Sequence, residues 1–99
     1  MTEREKSVLS RSIKIIKKYL NPTRVILFGS RAKHISTKSA DFDLAVETKK
    51  NIKLHRKVMD NLVENAGLYK IDLVYLSDVD KNFRDIIFST GNIIYEKRN

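Results

Sequence analysis

Apolar positions along the chain recur at two different periods, and the changes of period mark out its elements. In 3–20, Leu9, Ile13, Ile16 and Leu20 return at helical spacing with lysines on the other face, which predicts an amphipathic helix. Asn21-Pro22 ends it. The run 24-RVILF-28, bounded by breakers, suits a buried strand. Gly29-Ser30 closes that strand, and 30–34 is expected to begin a short helix with Ser30 near its N-cap, followed by loop over 35–40. Residues 41–47 alternate, Phe42, Leu44 and Val46 on one face and Asp41, Asp43, Ala45 and Glu47 on the other. A second amphipathic helix is predicted over 51–66 from Leu54, Val58 and Leu62, widened by Met59, Val63 and Ala66, with Gly67 as its C-cap. The stretch 70-KIDLVYL-76 reads as a strand with an aspartate inside it. Over 80–90 a short helix should turn Phe83, Ile86 and Ile87 to the core, before Gly91 and a last edge strand at 93–96.

The predicted order is α-β-α-β-α-β-α-β, an α/β or α+β sandwich around a small mixed sheet of three to four strands flanked by helices. The link between the first two strands is about twelve residues, barely a crossover connection, so antiparallel pairing is expected there. That pairing sets Gly29-Ser30 beside Asp41 and Asp43.

Composition narrows the class. Ninety-nine residues with 41% hydrophobic and 32% charged side chains make one domain, spanning 1–99. There is no cysteine, and His34 and His55 lie too far apart to suggest a zinc spacing. No apolar stretch nears the roughly 20 residues of a membrane span, and the polar start 1-MTEREKSVLS-10 has no signal-peptide core, so no membrane role and a cytoplasmic location are the expectation. The net charge is +8, and Lys6, Arg11, Lys14, Lys17, Lys18, Arg24, Arg31, Lys33 and Lys38 follow one another without an intervening acid. Such a field attracts nucleotides, nucleic acid or an acidic protein, and is expected to keep Asp41 and Asp43 ionised.

The carboxylates change the picture most. Asp41 and Asp43 share one strand face, and Asp72 stands between Ile71 and Leu73, where an aspartate is costly to bury unless paired or metal-bound. If the third strand pairs in parallel with the second, the three meet at one end of the sheet. Oxygen-only ligands select magnesium or manganese, and magnesium binds through one or two carboxylates plus substrate phosphates. The Gly29-Ser30 turn supplies the phosphate side, with Arg31 and Lys33 adding charge.

The pattern 29-GSRA-32, 41-DFDLAV-46 and 71-IDLVYL-76 resembles the nucleotidyltransferases of the DNA polymerase beta type. The fit is closest to the minimal nucleotidyltransferases, the MntA-type antitoxins paired with HEPN-domain toxins, and it extends to the ending 83-FRDIIFSTGNIIYE-96. His34 stands where a glycine is common and Ala40 where a serine often precedes the first aspartate; both bear on loop shape and phosphate contacts, and neither is a metal ligand. The resemblance implies a polymerase beta-like fold. It implies that Gly29 and Ser30 hold the β- and γ-phosphates of a nucleoside triphosphate, and that Arg31 offsets triphosphate charge, a fixed partnership of Arg31 with Glu47 being the structural alternative. Asp41 and Asp43 would bind two Mg2+ ions about 3.5–4 Å apart, with Asp72 helping to hold one ion and to take the acceptor's proton. The implied reaction transfers AMP from ATP to a tyrosine of a partner HEPN-domain toxin, which silences the toxin's RNase activity. Nothing among these residues reads adenine, so ATP as donor rests on the resemblance. Two other readings stand beside it. One is an antitoxin that masks its toxin by contact alone. The other is a nucleotidyltransferase acting on a small-molecule or RNA hydroxyl, for which RNA binding would be steeply salt-dependent. A generic nucleic-acid-binding module leaves Asp72 unexplained and is not favoured.

Overall fold

The structure is a computed structural model and describes residues 1–33 and 41–98. Its elements are α1 (Glu3–Leu20), β1 (Arg24–Phe28), β2 (Phe42–Val46), α2 (Ile52–Ala66), β3 (Ile71–Tyr75), α3 (Lys81–Thr90) and β4 (Asn92–Glu96). The first helix begins with a capping box: the Thr2 hydroxyl accepts from the Glu5 N–H, and the Glu5 carboxylate accepts from the Thr2 N–H. It ends at Asn21 in the left-handed conformation, just ahead of Pro22, which cannot continue a helix. Asn51 and Asp80 cap α2 and α3 with their side chains.

The sheet order is β3-β2-β1-β4. The central strand β1 is antiparallel to both neighbours, while β2 and β3 run parallel. The mixed sheet expected from the short first connection is therefore present, with β4 at an edge. One expected element is not found among the described residues. Residues 29–33 form a hydrogen-bonded turn, Lys33 N–H donating to the Gly29 carbonyl at 3.3 Å, and no helix starts there among the described residues. The remainder of the predicted helix and loop, with His34 and Ala40, lies outside the described residues.

Period-2 alternation puts the two faces of the sheet into different cores. Val25, Leu27, Phe42, Leu44, Val46, Ile71 and Tyr75 pack beneath α1 and α2. Full burial of Phe42 in that layer contributes roughly 1.5–3 kcal/mol. Ile26, Ala45 and Leu76 face the other way and receive Ile87 of α3. Here α3 departs from expectation. Only Ile87 is buried; Phe83 is 36% exposed and Ile86 54%. Among the described elements, one helix covers this face, so only its sheet-side stripe finds apolar partners. The aspartate positions open onto the same half-covered face.

Candidate active site

Alternation in β2 and β3 sends Phe42 and Ile71 into the α1/α2 core and turns Asp43 and Asp72 to the α3 face. In the parallel register Asp43 stands directly beside Asp72, and the Phe42 N–H donates to the Lys70 carbonyl at 2.9 Å. Asp41 comes two residues before Asp43 and next to this pair. Burial raises the pKa of Asp43, and the charges of Asp72 and Asp41 raise it further, with the Asp72 carboxyl close enough to share a proton with it. The direction of this shift runs against the expectation that the basic field favours the ionised form of Asp43: burial and the neighbouring carboxylates act on it more strongly than the field does. Among the described residues Lys70 reaches the cluster, its Nζ 3.7 Å from Asp72 Oδ1, with the lysine largely in solvent and the aspartate partly so.

Across from Asp43 in the antiparallel direction stands Phe28, and Gly29 follows at once. Gly29 has φ +74°, and a Cβ built on it would lie 2.3 Å from Asp43 Oδ2. Only a glycine can make this turn while letting the carboxylate lie against the backbone. Gly29, Ser30, Asp43 and Asp72 are thus brought to one end of the sheet.

Among the described residues, no three carboxylate or imidazole groups converge closely enough to enclose one ion. The predicted triad is a closely matched pair, Asp43 and Asp72, with Asp41 at the threshold of β2 rather than in the ladder. The donor set still fits a hard divalent cation. The ligands are all oxygen, and they repel one another at Asp43, a repulsion that a bound cation would relieve.

Arg31 is not the partner of Glu47. It is 4% exposed, its guanidinium lies 4.0 Å from the centre of the Phe42 ring and 5.7 Å from that of Tyr69, and it ion-pairs with Glu5. Glu47 pairs instead with Arg24 at the far end of β1, through two bonds of 2.8 and 2.9 Å. The register decides this: Val25 stands opposite Val46, which puts Arg24 beside Glu47, while Arg31 leaves β1 at its other end. Arg31 therefore anchors the turn to α1, and Asn92 Nδ2, donating to the Ala32 carbonyl at 3.4 Å, ties it to β4. Three contributors went unnoticed in the sequence: Glu5, Lys70 and Asn92. Only Glu5 carried a local signal, the T-x-x-E capping box of 2-TERE-5.

The family model described as polymerase beta, nucleotidyltransferase matches residues 11–99. The chain belongs to the polymerase beta nucleotidyltransferase family. Comparison with curated proteins gives no match. Among solved structures, a chain of a toxin–antitoxin complex with AMP-PNP superposes with a TM-score of 0.76 at 18% identity, over 90% of this chain and 73% of that one. A chain from the complex of a tri-AMPylated Shewanella oneidensis HEPN toxin with an MNT antitoxin gives 0.70 at 18% identity, over 95% and 73%. A structure described as a minimal nucleotidyltransferase gives 0.73 at 19% identity, over 92% and 95%. At these identities the likeness shows the fold.

Proposed function

We propose that this chain is a magnesium-dependent nucleotidyltransferase that moves AMP from ATP to a tyrosine of a partner HEPN toxin and so acts as its antitoxin. The observation that carries the reading is the Asp43–Asp72 pair in register beneath the Gly29-Ser30 turn. The relatives with AMP-PNP and with an AMPylated HEPN toxin support the donor and the acceptor.

In this reading Gly29 and Ser30 offer backbone and hydroxyl donors to the β- and γ-phosphates, and the buried Arg31 keeps that turn in place from behind. Asp41, Asp43 and Asp72 would hold magnesium, which when bound offsets the charge of the α-phosphate and of the departing pyrophosphate. Asp72 would orient the incoming hydroxyl and accept its proton. The hydroxyl oxygen bonds to the α-phosphorus, the bond from that phosphorus to the β-phosphate oxygen breaks, and pyrophosphate leaves with the electron pair.

Intact-mass spectrometry of the candidate toxin, after incubation with this protein, ATP and magnesium, tests the proposal. A gain of whole AMP units, absent with Asp43→Asn, is the expected result. A toxin silenced in a stable complex without any mass change would replace modification by masking.

A further inference from the structure

Three strands meet at the site end of the sheet, and on the α3 face they present one aromatic ring and two carboxylates. Phe28 of β1 stands opposite Asp43 of β2, which stands beside Asp72 of β3. Directly registered residues of neighbouring strands point the same way, so the three side chains form a row. The ring of Phe83, from α3, meets Phe28 edge to face with centroids 5.8 Å apart and planes 80° apart. Ile87 already anchors α3 in the core, against Ile26, Ala45 and Leu76. Phe83 is not needed for that anchoring, and over a third of it stays in solvent beside a half-buried Phe28.

We propose that Phe83, backed by Phe28, is the stacking surface for the base of the donor nucleotide. The inference rests on the nucleotidyltransferase reading and adds what that reading lacked, a group that binds the nucleoside half of the donor. The order of the row decides between donor and acceptor. Gly29-Ser30, assigned to the phosphates, continues directly from Phe28 on β1. Asp72, assigned to the acceptor hydroxyl, lies two strands away, roughly 10 Å at ordinary strand spacing. The aromatic pair therefore flanks the donor's side of Asp43. A phenyl face stacks on any base without reading its edge, so this surface adds affinity for a nucleotide without selecting adenine.

The test compares MgATP with magnesium tripolyphosphate, which has the phosphates and no base, by isothermal titration. Phe83→Leu keeps apolar bulk without a ring, and Phe83→Trp keeps the ring. The expected result is about a tenfold loss of ATP affinity in Phe83→Leu, tripolyphosphate affinity unchanged, and recovery in Phe83→Trp. The chain has no tryptophan, so the indole of the Phe83→Trp protein is a sole reporter, expected to be quenched by ATP and not by tripolyphosphate. ATP affinity unchanged in Phe83→Leu would overturn the inference and leave the enzyme reading standing, as would an equal loss of both ligands. A raised KM for the protein acceptor alone would overturn it in favour of an acceptor contact. A wild-type protein that binds neither ligand would overturn both readings.

Discussion

Glu5, on the first turn of α1, is the ion-pair partner of Arg31, which follows the Gly29-Ser30 turn by one residue. The same carboxylate caps the helix at Thr2. One side chain thus joins the start of the chain to the loop proposed to hold phosphate. The Thr2 backbone bond, and then the bond from Arg31, draw its pKa down to about 2. A lowered carboxylate pKa contributes stability that is complete above the usual value near 4.5 and is lost as pH falls toward about 2. Wild-type protein should therefore lose Tm across that window more steeply than Glu5→Gln. Parallel acid titrations of the two would sink the idea.

Arg31→Met should destabilise by roughly 2–4 kcal/mol, since it removes a buried cation that is both ion-paired and stacked. Arg31→Lys should recover little of this, because an ammonium cannot lie flat on Phe42 while bonding Glu5. Urea unfolding of both variants checks the order. If Arg31 met the phosphates directly, nucleotide affinity would collapse in variants whose stability was hardly changed.

Asp43→Asn should abolish transfer and yet stabilise the protein. The fold raises the pKa of Asp43, so it favours the protonated form, and stability is lost as pH rises through that raised value. An amide of the same shape removes the penalty. A gain of roughly 0.5 kcal/mol, or about 2–4 °C in Tm, is expected at neutral pH without metal and should vanish in acid. A lower Tm at neutral pH would show that Asp43 holds a stabilising charge instead.

Gly29→Ala tests the turn. Its φ of +74° costs an L-residue roughly 1–2 kcal/mol, and the new methyl would collide with Asp43 Oδ2. Activity should fall by orders of magnitude while the protein stays folded, since the clash is with a side chain at the sheet's open end. A variant with near-wild-type kcat would mean that neither the turn nor the position of Asp43 matters to transfer.

Lys70 stands where a divalent ion would compete with it for Asp72. Lys70→Met should bind Mn2+ about two- to fivefold more tightly in the absence of nucleotide, the scale of an exposed ion pair. Water-proton relaxation titrations read this directly, and unchanged or weaker binding would exclude the competition.

Local patterns made the secondary structure legible. Leu9, Ile13, Ile16 and Leu20 announced α1, and the alternation from Phe42 to Val46 announced β2 and the face its aspartates would take. The first connection was short enough to make antiparallel pairing the natural choice, and that placed Gly29 beside Asp43. The misplaced residues were those whose environment depends on what lies above or behind them. Phe83 and Ile86 satisfy a helical stripe, but no sequence period says that a single helix will cover that sheet face. Arg31 was read from its neighbours in the chain, and they give no sign of Glu5, an ion-pair partner 26 residues away on α1.

That separation has a kinetic consequence. Asp43 and Asp72 also meet only after α2 has crossed over the sheet and β3 has docked, and such long closures form slowly compared with a helix. During refolding, the far-ultraviolet signal of α1 and α2 should return first and catalytic competence last. Activity in this small protein is then a report on complete assembly, and a chain caught part-way will look largely helical while being chemically silent.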